Sequence, residues 1–116
     1  MDIVKGLEQK ANKRQGDWIE PTLLNGWINF GAPFAGCSYF KDNFGIIHLR
    51  GVVKSGVIGQ AFYNLPVGYR PSANIDVASC SNNAFCVITI EANGNIFPLS
   101  GNNQWVSLAG ITFREA

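Results

Sequence analysis

With 116 residues, 47% apolar and only 15% charged, the chain can build one domain core and is too uncharged to stay disordered. The formal net charge is +1, and Lys5, Lys10, Lys13 and Arg14 crowd the N-terminus. From Trp18 onward, five basic residues (Lys41, Arg50, Lys54, Arg70, Arg114) meet five acidic ones (Glu20, Asp42, Asp76, Glu91, Glu115), so no domain-wide field exists to hold nucleic acid.

No apolar run approaches the ~18 residues of a membrane span, and the N-terminus lacks a signal-peptide core. A soluble chain without membrane insertion is expected. Cys37, Cys80 and Cys86 form no CxxC pair and leave one over, which fits a reducing compartment and three small buried side chains.

Residues 1–16 differ from the rest. Ile3, Leu7 and Ala11 recur every four positions in a polar, helix-tolerant stretch, giving a narrow apolar stripe too short to be stable alone. The segment reads either as a helical neck stub, packed against symmetry mates, or as a frayed leader. Gln15-Gly16 breaks the pattern, and residues 17–116 form the second unit, a single domain.

From Trp18 onward, period-2 runs alternate with turn signals every 8–12 residues. Leu24–Phe30 reads as a strand with Asn25, Trp27 and Asn29 on one face. Ser38–Lys41 pairs through Asp42-Asn43-Phe44-Gly45 with one long strand, Ile46–Lys54. Ser55-Gly56 then turns the chain into Val57–Phe62.

Asn64-Leu65-Pro66-Val67-Gly68-Tyr69-Arg70-Pro71 cannot be an interior strand, because two prolines lack N–H groups and Gly68 invites positive φ. It reads as a stiff crossing between two sheets. Asn74–Cys80 and Ala84–Glu91 follow as strands around a Ser81-Asn82-Asn83 loop. Asn93-Gly94 predicts a type I′ hairpin turn into Asn95–Leu99. Trp105–Ser107 and Ile111–Phe113 complete the set. Eight or nine short strands in this length predict an all-β fold, a single antiparallel β-sandwich of jelly-roll-like form.

Catalytic parts are scarce. His48 is the one histidine and lies mid-strand, where a half-buried ring with a backbone partner is the plain expectation. No GxSxG elbow exists, the carboxylates look isolated, and His48 with three cysteines lacks zinc-ligand spacing. No enzyme activity, metal or cofactor is expected. Aromatic rings beside amides are more suggestive, since a ring stacks on the C–H face of a sugar while amides bond its hydroxyls. Trp27 beside Asn25 and Asn29 fits that pattern, as does Trp105 after Gly101-Asn102-Asn103-Gln104. Core or interface packing is the alternative for both tryptophans.

Several segments in order resemble the C-terminal receptor-binding head of tail fibre or minor structural (baseplate) proteins from phages of Gram-positive bacteria. They are Trp18 with Pro21-Thr22-Leu23-Leu24-Asn25-Gly26-Trp27, Tyr39-Phe40-Lys41-Asp42, Gly45 to Val53, the proline octet through Pro71, Asn93-Gly94, and Trp105 to Phe113. The resemblance spans about residues 18–114.

It implies a homotrimeric, non-catalytic head at the phage tail tip, made in the bacterial host cytoplasm and attached to other tail or baseplate proteins. Such a head recognises a saccharide or teichoic-acid-like polymer on the host surface and needs no cofactor. Val52 and Val87 would face neighbouring subunits. Asn82, Asn83, Trp105, His48 and Arg50 are the candidate ligand-binding residues, although the Ser81-Asn82-Asn83 loop lacks the charge expected of a polyol or phosphate site. A purely structural trimeric module and a surface-polysaccharide depolymerase are the rival readings.

Overall fold

Ten short strands run through residues 17–116, the part of the chain described by the structure, a computed structural model. The expected helical stub at 1–16 lies outside the described residues. In chain order the strands are β1 (Ile28–Asn29), β2 (Ser38–Lys41), β3 (Ile46–Arg50), β4 (Val52–Lys54) and β5 (Tyr63–Asn64). They continue as β6 (Ile75–Ser81), β7 (Ala84–Ile90), β8 (Asn95–Pro98), β9 (Val106–Ser107) and β10 (Thr112–Arg114). Seven form one antiparallel sheet in the order β1-β4-β9-β6-β7-β8-β5, and β10-β3-β2 form a second. The fold is all-β and sandwich-like, as the alternation predicts.

Alternation decides what each strand buries. In β7, Cys86, Ile88 and Ile90 are fully buried, while Phe85 on the opposite face is 71% exposed. Ile47 and Leu49 of β3 meet these residues in one continuous core with Tyr39, Val53, Tyr63, Ile96 and Val106. Each such aliphatic side chain contributes roughly 1.5–3 kcal/mol by leaving water. Tyr39 and Tyr63 stack across the two sheets at 5.9 Å. Burial also pushes the Cys37 thiol up to about 12, so it behaves as a small core residue.

The long strand expected over Ile46–Lys54 is two strands in different sheets. The chain leaves the three-stranded sheet at Arg50, bends at Gly51 with φ of +117°, and enters the seven-stranded sheet at Val52. Only a residue without a Cβ fits there. Leu24–Phe30 is likewise mostly not strand, because Asn25 and Gly26 both take positive φ in a turn closed by Trp27 N–H to Leu24 O at 3.0 Å. Val57–Phe62 is irregular, and pairing resumes only at Tyr63.

The proline octet does not cross between sheets. It joins β5 to β6 within the seven-stranded sheet, from its edge back to its middle. Gly68, with φ of +95°, closes a turn through Tyr69 N–H to Pro66 O at 3.1 Å. Arg70 braces the segment, donating from Nε to Leu65 O at 2.8 Å and from a terminal nitrogen to Asn64 Oδ1 at 3.2 Å.

The two asparagine turns exchange roles. At Asn93-Gly94 only Gly94 has positive φ, and Gly94 N–H donates to Glu91 O at 2.9 Å. The two-residue turn with both φ positive is Asn82-Asn83, at +48° and +67°, between the paired Ser81 and Ala84. Asparagine serves there in place of glycine because its amide tolerates the left-handed region.

Candidate functional site

The Asn82-Asn83 turn lies at the end of the β6–β7 hairpin, beside the 100–105 loop. Ser81, fully buried at the hairpin end, ties the two together. Its Oγ accepts Asn102 N–H at 2.8 Å and directs its single hydrogen toward Asn102 O at 2.8 Å and Trp105 O at 3.0 Å. Asn102 Oδ1 accepts Gln104 N–H at 2.7 Å, and Asn103 Nδ2 donates to Gly56 O at 2.9 Å. The loop that presents Trp105 is therefore pinned at both ends rather than free to swing.

Trp105 lines a groove of about 460 Å³. Val52, Cys80 and Ser107, from the adjacent strands β4, β6 and β9, give it a floor. Phe30 and Phe34, packed edge-to-face at 5.5 Å, stand in its wall, and exposed Asn83 lies on its rim. Lys54 Nζ sits 5.1 Å over the Phe30 ring. A half-buried indole, two further rings and an amide at the margin of a concave surface are the parts that cradle a ring-shaped, partly apolar ligand.

Of the expected site residues, Asn83 and Trp105 come together here, with Asn82 in the same turn. His48 and Arg50 do not join them. Both project from the outer face of the three-stranded sheet. His48 stacks on Phe40 with ring centroids 4.6 Å apart and planes 8° from parallel. Its partner is not backbone, as expected, but the Asp42 carboxylate, 2.8 Å from Nε2. Asp42 is thus not isolated, since Oδ1 also accepts the Phe44 and Ile46 N–H groups at 2.8 and 3.1 Å. The bond from His48, helped by these amides, holds the Asp42 carboxyl below its ordinary range. Arg50 Nε donates to Ser38 Oγ at 2.8 Å, and its guanidinium lies 4.1 Å from the centre of the Trp18 ring.

Trp27 is excluded from any ligand surface. It is 2% exposed, packs edge-to-face on Phe62 at 4.7 Å and donates from Nε1 to Gln60 O at 3.1 Å. Cys80 departs from the expected burial of all three thiols, being exposed in the groove while Cys37 and Cys86 are buried. Phe30 and Phe34 escape sequence reasoning because they sit on a Gly/Pro loop whose geometry no periodicity encodes. Among the described residues, no group of three or more His, Cys, Asp or Glu side chains could hold a metal ion.

The chain is similar in structure to the receptor binding protein (gp15) of Listeria phage PSA, known from a crystal structure, with a TM-score of 0.74 and 16% sequence identity, covering 100% of this chain and 82% of that one. The two chains share a fold. Neither a family model nor a curated protein matches the sequence.

Proposed function

We propose that this chain is the receptor-binding head of a phage tail, a non-catalytic adhesin that grips a host-surface saccharide in the groove beside Trp105. The observation that carries the reading is the fold shared with a phage receptor binding protein. The groove supplies a stacking ring, an amide rim and a rigid loop, which suit recognition without bond making. It also lies at the end of the sandwich away from Asp17. The Ile19–Tyr39 bridge runs antiparallel to β2, so Asp17 leads toward the Lys41 end of that strand, whereas the groove gathers around the Ser81–Ala84 turn.

The head works as a homotrimer in the virion. The seven-stranded sheet turns an apolar face outward: Phe85 is 71% and Leu99 55% exposed, with Ala78, Val87 and Phe97 on the same side by register. An exposed apolar patch on a sheet face is a liability in a monomer and ordinary at a subunit interface. Val52 is already buried within its own subunit, so Val87 is the better candidate for contact with a neighbour.

Purified head should block adsorption of the phage that carries it in a dose-dependent way, and should release no reducing sugar from wall material. Adsorption that proceeds undiminished at saturating head concentration would remove the adhesin role. Sugar release would replace it with a depolymerase.

A further inference from the structure

Among the described residues, Arg50 is a fixed cation without a carboxylate partner. It ends β3, half-buried, with Nε on the Ser38 hydroxyl and its central carbon 4.1 Å from the centre of the Trp18 ring. Two ion pairs occur among the described residues, Lys41–Glu115 and His48–Asp42, and neither uses it. Ordering a guanidinium and stripping part of its water costs free energy, which a well-placed anion offsets when its geometry satisfies the remaining N–H groups. Here ring stacking and one hydroxyl do the ordering. The terminal nitrogens have no hydrogen-bond partner among the described residues.

The surroundings extend this cation into a surface. Antiparallel register places Trp18, Phe40, His48 and Thr112 in one row across the outer face, with Ser38 and Arg50 in the next. Trp18, 36% exposed, meets Phe40 edge-on at 4.5 Å, and Phe40 stacks on His48. The other charged groups on this face are His48, Arg114, Asp42 and Glu20. Asp42 is already occupied by three donors. Glu20 lies opposite Ser38 by register and is exposed.

We infer that the Arg50–Trp18 pair is a binding site for an oxyanion, a phosphate or carboxylate group, separate from the groove beside Trp105. A guanidinium held in one plane offers a fork that matches such a group bidentately, and the aromatic row beside it can take the apolar body of the molecule that carries the anion. The site goes beyond the adhesin reading and does not depend on it, since it is defined by side chains remote from Trp105.

The test is a titration of the ¹⁵N-labelled full chain at constant ionic strength, following the Arg50 Nε–H and Trp18 and Trp105 Nε1–H signals. Inorganic phosphate, glycerol phosphate, glucuronate and uncharged glucose are the probes. Saturable shifts at Arg50 and Trp18 with an anion but not with glucose are expected, with Trp105 unmoved. Response to the phosphates alone or to glucuronate as well tells which oxyanion is preferred. Arg50→Lys, which keeps the charge and loses the fork, should weaken binding about tenfold, and Glu20→Gln should tighten it. Shifts that never saturate, that glucose reproduces, or that survive Arg50→Lys unchanged would overturn the inference. The wild-type titration decides even if the variant does not fold. A failure here leaves Trp105 binding untouched, so the two sites are judged apart.

Discussion

Gly51 packs so tightly on Cys37 that a Cβ there would lie 2.5 Å from Cys37 Cα. This close approach lets the chain change sheets between Arg50 and Val52. Its consequence reaches both proposed sites, because two residues either side of one glycine end on different surfaces. Arg50 joins the aromatic row on the three-stranded sheet, and Val52 becomes floor of the groove beside Trp105.

Gly51→Ala is therefore expected to be severe. It adds backbone strain at positive φ to a clash with main-chain atoms that have nowhere to move, costing about 2–3 kcal/mol or more. Thermal unfolding should shift down by roughly 10 °C or more. A melting temperature within a degree or two of wild type would mean that the bend has another cause.

The tryptophans should separate cleanly. Trp27→Ala empties a core site and should cost ~3–5 kcal/mol of stability, with binding lost only through unfolding. Trp105→Ala should leave the fold intact and weaken saccharide binding by about tenfold, the scale of a removed stacking ring. Circular dichroism and a binding isotherm on each variant would show whether the roles are reversed.

Stability should have an acid limb set in part by Asp42. Its folded-state pKa is lowered, chiefly by the bond from His48 and then by the Ile46 and Phe44 amides. Its contribution is therefore present above the unfolded value of about 3.9 and is lost as pH falls through the depressed folded value. Denaturant unfolding at stepped pH should show Asp42→Asn less stable than wild type near neutrality and less sensitive to pH below ~4. Parallel curves for the two proteins would contradict this.

These expectations rest on features of unequal legibility. Cys86, Ile88 and Ile90 alternate so regularly with Phe85, Val87 and Thr89 that β7 could be read directly as a strand, as could the Asp42–Gly45 turn. Both faces of β7 are apolar in sequence, and only the structure shows that the Phe85 face is open. What could not be read depends on tertiary approach. Nothing local to Ile46–Lys54 announces that Cys37 will lie against Gly51, so one unbroken strand was the natural expectation. Trp27 alternates with asparagines like a surface residue. It is buried because Asn25-Gly26 turns the chain back and lays the indole over Gly56. Trp105 and Asn83 share a groove only because Ser81 ties their loops together. The separation of His48 and Arg50 from them followed from the change of sheet.

The outward face of the seven-stranded sheet predicts its own variant. Phe85→Asp puts a charge into the proposed interface, where leaving it unpaired and desolvated costs several kcal/mol. Light scattering behind gel filtration should give three chains for wild type and one for the variant, with unchanged circular dichroism. A wild-type monomer would withdraw the trimer and leave that face unexplained.

The most direct test of the adhesin role is retention of labelled head on purified walls from a panel of Gram-positive bacteria, wild type beside folded Trp105→Ala. Saturable retention on the walls of at least one strain, largely lost in the variant, is the predicted result. Retention by the variant equal to wild type would move the site away from the groove, and no retention on walls of the strain that the phage infects would contradict receptor binding itself.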